Sequence, residues 1–415
     1  MESLTLFKNF KERRLFFLIA FFVFIFNLYV EFTKYKQFTK NEVYHTSGTI
    51  QNYYQKENHS TVKIKTDNFT FFTPYKQPNN SILYKEIDLY IVSKNITFIS
   101  YLKGFYTKSF NLNLDISKTS NIENIHNLIV NQHTNNDIAS LYSALYLASP
   151  LTSTLRELSS KLGISHLIAI SGFHLGVISF VLYFLIHILY KRIHSVYFPY
   201  RNKRFDIMIF ITIILLSYMV FIDTPPSLLR AFFMFVFGFF LVRNNIKLIS
   251  FDTLLIVLLV VIALFPKLLF SLSLWFSVVG VFYIFLFIKY FNNLNKIIQF
   301  VIFNFWIYLT INPITHYFFA TTALEQLYSP ILTILFSIFY PITVILHFLN
   351  NGSVFDQFFI TILNTTIYSI EINTPRWFFI IYIIISLLSI TKKEIFILLN
   401  LLMIFYNIWL FHFIF

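Results

Sequence analysis

Apolar runs of roughly 17–25 residues recur along this chain, and one such run is long enough to cross the hydrocarbon core of a bilayer as a helix. Hydrophobic residues make up 57% of the 415 residues, and charged residues only 12%. The runs are continuous rather than alternating, which argues against a membrane β-barrel. The sequence therefore predicts a polytopic α-helical membrane protein.

Eleven segments are predicted to span the membrane. The first, Leu15–Val30, follows a basic cluster and has no small-residue cleavage site after it, so we expect it to stay attached as an anchor. The others lie near residues 165–190, 206–222, 228–242, 252–265, 270–288, 298–324, 328–349, 357–370, 376–390 and 394–415. Two of these segments, 252–265 and 357–370, are short, and 298–324 contains Asn312-Pro313.

Basic residues predict how the chain is oriented. Lys and Arg accumulate in cytoplasmic loops, and the loops around Lys191, Lys203, Arg243, Lys289 and Lys392 all fall on the side of the basic N-terminus. We therefore expect a cytoplasmic N-terminus, with residues 31–135 outside the cytoplasm. We attribute the net charge of +13 first to the lysines and arginines that accumulate in these cytoplasmic loops. A polyanionic substrate is the alternative explanation.

Residues 31 to about 135 form the one long polar region of the sequence. Five short strands are predicted there: Val43–Tyr54, Ser60–Thr66, Phe69–Tyr75, Leu89–Ser93 and Thr97–Tyr106. Five strands in so short a segment fit a small β-barrel such as an OB-fold. The predicted domains are an anchor over 1–30, an extracytoplasmic OB-like domain over 31–117, an amphipathic helical connector over 118–160, a transmembrane core over 161–350 and C-terminal membrane helices over 351–415.

The polar region also has the composition of a surface that binds single-stranded nucleic acid. It carries 12 lysines, no arginine and 8 acidic residues, together with many aromatic rings. Positive charge combined with exposed rings suits such a strand. Lys63, Lys65, Phe71 and Tyr75 are the predicted contacts. The alternative is that the aromatic residues are the core of a small β domain.

A segment rich in small residues opens the apolar run after residue 160. Three of the chain's eight glycines, Gly163, Gly172 and Gly176, fall within 14 residues, and His166, Ser171 and His174 lie among them. Small and ionisable residues in a membrane segment usually face protein or water. An unbroken helix would place the two histidines on one face. They line a pore or pack the helices, and a metal site is disfavoured because no third ligand is evident.

A second informative stretch surrounds Arg230. Pro225 and Pro226 break or start a helix, and Arg230 then lies about one turn inside an apolar run. An arginine there needs a partner such as water, a carboxylate or a phosphate, unless its side chain snorkels to the outer headgroups. Glu325 is the best candidate for a lumen residue or for a partner of Arg230.

Several kinds of chemistry have no motif in this chain. The sequence contains no cysteine, which excludes disulfides, thiolate catalysis and Cys-ligated zinc. No Walker A motif, HExxH motif or GxSxG nucleophile elbow occurs. We therefore predict no catalytic residues, no metal and no cofactor.

Two of the segments described above carry a resemblance to a known family. His166–His174, which reads HLIAISGFH, resembles the H-L-L-A-I-S-G-L-H hallmark of the ComEC competence-protein family at eight of nine positions, counting Ile for Leu as conservative. Pro226–Met234 is similar to the family's P-S-x-x-R-A-x-x-M run. Asp252–Ser277 matches a further family segment more weakly. The resemblance covers about residues 135–350.

The resemblance implies a channel that passes single-stranded DNA through the bacterial inner membrane during natural transformation. The implied DNA path includes His166, Ser171, Gly172, His174, Gly176, Arg230 and Glu325. Because the chain has no nucleotide-binding motif, a cytoplasmic ATP-driven motor or strand-binding protein is expected, besides a periplasmic DNA-receptor protein and membrane lipid. The oligomeric state is left open, a homo-oligomer included.

Many family members end in a metallo-β-lactamase-like domain, whereas this chain ends in apolar segments. Strand degradation would then come from another protein or not occur. Two rival functions remain: an intramembrane polymerase or ligase acting on lipid-linked glycans, and a small-solute or ion transporter. The transporter is the less favoured, because such proteins often carry internal repeats and none is seen here.

Overall fold

The computed structural model describes residues 9–55, 60–75, 82–115, 121–222, 224, 226–243 and 250–414. Of residues 55, 114, 115, 226, 227 and 230, only the backbone is described. Within these limits the chain forms a long N-terminal helix, a curved β-sheet, a set of connector helices and a bundle of apolar helices, in that order.

The first helix, α1 (Phe10–Phe38), is longer than the predicted anchor. Its 29 residues extend roughly 43 Å, which exceeds the roughly 30 Å of a hydrocarbon core. The last turn of α1 belongs to the sheet domain, because the buried Phe38 ring packs against Phe69, Tyr101 and Phe105. The anchor and the sheet domain therefore share one hydrophobic core.

The sheet has six strands in the order β5-β3-β2-β1-β4-β6: β1 (Val43–Gln55), β2 (Ser60–Lys65), β3 (Thr70–Tyr75), β4 (Glu86–Val92), β5 (Phe105–Tyr106) and β6 (Ser109–Asp115). All neighbours are antiparallel except β3 and β5. The long β1 pairs with β4 through its first half and with β2 through its second. Gly48 lies at this changeover, where an added Cβ would stand 2.6 Å from the Lys65 carbonyl oxygen. Only glycine permits so close an approach of two backbones.

The segment 105–115 runs along both edges of the sheet. Its beginning pairs with β3, and its end pairs with β4. Between them, the Thr107 N–H donates to the Phe72 carbonyl (2.9 Å), and the Lys108 carbonyl accepts from the Val92 N–H (3.2 Å). The sheet therefore curves into a half-barrel around buried apolar side chains.

Four of the five predicted strands are present, and the fifth is not. Thr97–Tyr106 was predicted as a strand, but the helix α2 (Phe98–Lys103) occupies most of it. The Thr97 hydroxyl accepts from the Ser100 N–H (3.3 Å) and starts this helix. Gly104, at φ +89°, then ends it. The strand β6 was not predicted, because its asparagines are depleted in strands and mask the alternation of its apolar residues.

The predicted connector over 118–160 consists of three helices: α3 (Asn121–Val130), α4 (Asn136–Leu147) and α5 (Ser153–Lys161). Side-chain caps mark the two later starts. The Asn135 Oδ1 accepts from the Asp137 N–H (2.8 Å), and the Thr152 Oγ1 accepts from the Leu155 N–H (3.4 Å). Helix α4 is buried along most of its length, so the connector is part of the bundle core.

The apolar region folds into helices at all the predicted positions: α6 (Ser165–Ile168), α7 (Gly172–Tyr197), α8 (Lys203–Phe221), α9 (Pro226–Arg243), α10 (Phe251–Leu264), α11 (Leu272–Phe291), α12 (Lys296–Phe318), α13 (Ser329–Phe348), α14 (Asp356–Leu363), α15 (Arg376–Leu388) and α16 (Lys393–His412). Among the described residues, seven helices are long and apolar enough to cross a membrane: α1, α7, α8, α11, α12, α13 and α16. Four more apolar helices are shorter. The helical membrane class is therefore supported, and the count of eleven spans is not confirmed.

The chain leaves the end of α12, forms α13 and α14, and then returns to the end of α12. The strand β7 (Thr321–Thr322) precedes α13, and the strand β8 (Ile370–Glu371) follows α14. The two strands pair, so the chain leaving α12 and the chain entering α15 lie side by side. The predicted span 357–370 is helical only over the eight residues of α14.

Helices α1 and α10 pack side by side and run parallel. Near their N-terminal ends Arg13 lies 3.7 Å from Asp252. Towards their C-terminal ends the Asn27 side chain donates to the Ala263 carbonyl (2.8 Å), and Lys267 lies 2.8 Å from Glu31. The starts of these two helices therefore face the same side of the molecule.

Candidate functional site

The turn between α5 and α6 is fixed to the start of α13. Gly163 ends α5 at φ +66°, a conformation that favours glycine. Its carbonyl accepts from the Ser329 hydroxyl (2.9 Å), and the Gln326 amide donates to the Ser160 carbonyl (3.1 Å). An added Cβ at Gly163 would stand 3.4 Å from Gln326 and Ser329. These contacts therefore fix the turn before α6 against the start of α13.

The helix breaks between the two histidines of the motif. Ala169 and Ser171 have extended backbone, and α7 starts at Gly172. The Ser171 N–H donates to His174 Nδ1 (3.2 Å), and the Ser171 hydroxyl lies 3.3 Å from the same nitrogen. Because Nδ1 accepts, the ring proton belongs on Nε2. The Ser-Gly-Phe-His sequence therefore forms the cap of α7.

His174 is fully buried rather than exposed to an open path. Its ring packs edge-on against Tyr340 (4.7 Å between centroids) and Phe336 (5.5 Å). The His174 ring therefore faces other protein groups rather than open space, and its role in the DNA path stays a prediction.

His166 has different surroundings. Its side chain is exposed on the single turn of α6, yet protein surrounds the ring closely enough for it to interact electrostatically with His174. The His166 ring is therefore accessible from outside the protein and lies near the buried His174. The described residues contain no group of three or more side chains that could hold a metal ion.

The glycines bring the two sequence motifs together. An added Cβ on Gly172 would lie 3.7 Å from the Cβ of Ala231, so α7 and α9 approach closely at this point. At Gly176, one turn further along α7, an added Cβ would meet no atom of the described residues within 4 Å. Both glycines are exposed. The segment therefore has one close helix contact and, beside it, open space.

Arg230 immediately precedes Ala231 on α9, which places its backbone next to this contact. The Arg230 side chain lies outside the described part of the chain, and so does its predicted pairing with Glu325. Glu325 is half-buried in a 3₁₀ turn, Leu324–Tyr328, that also contains Gln326. The turn at Gly163 is therefore near Glu325 as well.

Two of the four predicted contacts of the outer domain are in its core. Phe71 is fully buried and Tyr75 is 8% exposed, so neither ring can stack on a base in this conformation. Lys63 and Lys65 lie two residues apart on β2, on the face opposite the buried Val62 and Ile64. Burial and the neighbouring Lys65 lower the pKa of Lys63. The stacking assignment is thus corrected, and the two lysines remain candidates.

An exposed aromatic surface that was not predicted lies on the outer face of the sheet, away from the core. The Tyr90 and Phe110 rings stack with centroids 5.9 Å apart, and they are 37% and 45% exposed. The His45 ring lies 4.7 Å from Tyr90. Strict alternation along β4, with Ile87, Leu89 and Ile91 inside, was the signal that Tyr90 points outward.

Comparison with known proteins adds one finding. A family model described as "Competence protein" matches residues 148–413, almost two thirds of the 415 residues. The match includes α5 to α16, with both motifs, and runs beyond residue 350 into the C-terminal helices. No curated protein and no solved structure matches the chain.

Proposed function

The chain belongs to the ComEC-type competence protein family, and on that basis we propose that it translocates single-stranded DNA across the bacterial inner membrane during natural transformation. The family match supports a role in DNA uptake and is the observation that carries the proposal. Seven helices of membrane-spanning length fit a protein embedded in a bilayer.

The proposed path runs along the segment from His166 to Gly176 and past the start of α9. Gly172 holds α7 close to α9, and Gly176 leaves open space beside that contact. Arg230, one residue before the contact, supplies a positive charge to a phosphate. The accessible His166 ring can hydrogen-bond to the strand. Ser171 and the buried His174 cap the N-terminal end of α7.

The outer half-barrel, in our proposal, is an OB-like domain that receives the strand. Its support is the strand order β5-β3-β2-β1-β4 with β3 parallel to β5, and the run of 105–115 along both edges. Lys63 and Lys65 would attract the phosphates, and Tyr90 and Phe110 would stack on bases. These exposed rings replace the buried Phe71 and Tyr75 in that role.

The proposed orientation places the N-terminus in the cytoplasm and the half-barrel outside. The parallel packing of α1 and α10 fits this arrangement, because both helices then start at the cytoplasmic side. DNA is an anion entering a negative compartment, so the membrane potential opposes entry by about 2.3 kcal/mol per charge per 100 mV. A cytoplasmic ATP-driven motor or strand-binding protein is therefore a proposed partner, with a periplasmic DNA receptor on the other side.

The role of Arg230 is tested by transformation assays of an Arg230→Ala strain. We expect transformation to fall at least about tenfold, because each phosphate that passes loses a partner worth more than 1.4 kcal/mol in a poorly hydrated site. Arg243→Ala, at the exposed C-terminal end of the same helix, is the matched control. Immunoblots must show equal abundance. Normal transformation with Arg230→Ala would remove Arg230 from the path.

A further inference from the structure

A cavity of about 470 Å³ lies where the outer half-barrel meets the connector helices. We call it the joint cavity. Tyr53 and Tyr54 of β1 line one side, α3 and α4 line another, and Ser149–Ser153 with Arg156 complete the wall. The Tyr84 hydroxyl bonds to the Ser149 hydroxyl (2.5 Å) and holds the two parts together beside it. The volume of the joint cavity is in the range of small-molecule sites, roughly 300–1,000 Å³.

Arg156 is the one Lys or Arg among the described residues that line the joint cavity. Its guanidinium lies over the Tyr54 ring, 5.4 Å from the ring centroid, and donates to the Leu151 carbonyl (3.3 Å). No Asp or Glu is among the described lining residues. On the same helix, the neighbouring Glu157 pairs with Lys161 at 2.8 Å. Within the described residues, no carboxylate forms an ion pair with Arg156.

The wall also contains buried polar atoms that lack partners. Ser143 is fully buried and lines the cavity, and its hydroxyl has no hydrogen-bond partner among the described residues. The same is true of His126 Nδ1. A buried polar atom without a partner is unfavourable, so a ligand that supplies the missing hydrogen bond is favoured. Helix α5 starts here with Thr152 and Ser153, and a helix start favours an anion.

We propose that the joint cavity binds one nucleotide unit of the incoming strand. The phosphate lies against Arg156 and the start of α5. The base stacks on the Tyr54–Arg156 pair, as bases do on aromatic rings and guanidinium planes. Ser143 and His126 bond to its polar edge. The proposal rests on the proposed function and adds to it a defined site before the membrane path.

The position of the cavity fits this order of events. Arg156 lies five residues before Lys161, the last residue of α5, and Gly163 fixes the turn that then leads to His166. Five residues of helix rise about 8 Å. A strand held at Arg156 is therefore about one and a half helical turns from the start of that turn.

The test is a binding measurement on the purified full-length protein in lipid nanodiscs. The probe is a fluorescein-labelled tetrathymidylate, followed by anisotropy at several salt concentrations. We expect Arg156→Ala to weaken binding about tenfold and to reduce the slope of log affinity against log salt by about 1. Lys161→Ala, which removes the same charge from the same helix, should change affinity less than twofold.

The stacking contact is tested separately. Tyr54→Ala should weaken binding at least about fivefold, whereas Tyr54→Phe, which keeps the ring, should bind like the unmodified protein. Arg156→Lys keeps the charge and serves if Arg156→Ala lowers the thermal midpoint. Its affinity should lie between those of Arg and Ala. The proposal would be overturned if Arg156→Ala and Lys161→Ala weakened binding equally. It would also be overturned if Arg156→Ala did not weaken binding, or if Tyr54→Ala did not.

DNA import in cells separates this proposal from the one that it rests on. If a deletion strain still imports DNA, the translocation function fails, whatever the binding data show. If the deletion strain imports none while Arg156→Ala protein binds the probe and imports DNA normally, only the joint cavity proposal fails. Loss of probe binding and of import with Arg156→Ala supports both.

Discussion

At the scale of residues, Gly163 and Gly172 are required for different reasons. Gly163 adopts φ +66°, which strains any residue with a Cβ, and it faces Gln326 and Ser329. Gly172 has ordinary backbone geometry and is small because Ala231 lies opposite. The sequence marks both positions as unusual, but only the structure distinguishes a turn from a close helix contact.

Gly163→Ala should destabilise the protein by about 1 kcal/mol or more, because alanine tolerates a left-handed conformation poorly. Gly280→Ala is the matched control. Gly280 lies inside α11, and an added Cβ there meets no atom within 4 Å, so this change should stabilise the helix by about 0.5–1 kcal/mol. Thermal unfolding in detergent compares the two. Equal midpoints for both variants would contradict the role assigned to the Gly163 turn.

Also at the scale of residues, the surroundings of His166 and His174 could not be predicted from the sequence. The motif containing His166 and His174 was predicted as the functional segment, and the family match includes it. Their different environments were not predictable, because the break at Ala169–Ser171 depends on a capping contact between Ser171 and His174. Likewise, composition identifies aromatic residues in the outer domain but not which rings face inward.

At the scale of elements, α12 continues through Pro313 because α16 supplies the missing donor. Proline has no N–H and leaves the carbonyl four residues earlier, at Leu309, without its helical partner. The Asn407 amide donates to that carbonyl (3.0 Å), and its oxygen accepts from Asn312 (2.7 Å). A helix with an internal proline is therefore matched to one partner helix.

Asn407→Leu should reduce stability by about 1–3 kcal/mol, since it leaves the Leu309 carbonyl and the Asn312 amide without partners in a buried site. In a Pro313→Ala background the loss should be smaller, because the restored N–H can bond to Leu309. Asn304→Leu, at a position whose amide bonds only within its own helix, is the control. A double-mutant cycle from unfolding midpoints measures the difference. The same cost in both backgrounds would show that Asn407 does not compensate for Pro313.

Contacts between distant elements were beyond sequence reasoning. His133, three residues after the end of α3, lies 2.9 Å from Asp356 through Nδ1 and 3.1 Å from His347 through Nε2. These partners are more than 200 residues away in the chain. Apolar runs and strand alternation predicted most elements, whereas polar contacts of this range leave no local pattern.

At the scale of the whole molecule, the orientation can be measured directly because the chain contains no cysteine. Single substitutions Ile99→Cys in α2 and Tyr200→Cys between α7 and α8 provide exposed reporters. In cells with a permeabilised outer membrane, an impermeant maleimide should label the first and reach the second only after lysis. The unsubstituted protein should take no label. Labelling of Tyr200→Cys in intact cells would reverse the proposed topology.

The central claim is that DNA crosses the inner membrane through this chain. The most direct measurement is to delete the gene, supply labelled DNA and quantify the label separately in periplasm and cytoplasm, with the restored gene as control. The account predicts that DNA accumulates in the periplasm and is missing from the cytoplasm. Normal arrival of label in the cytoplasm would contradict it.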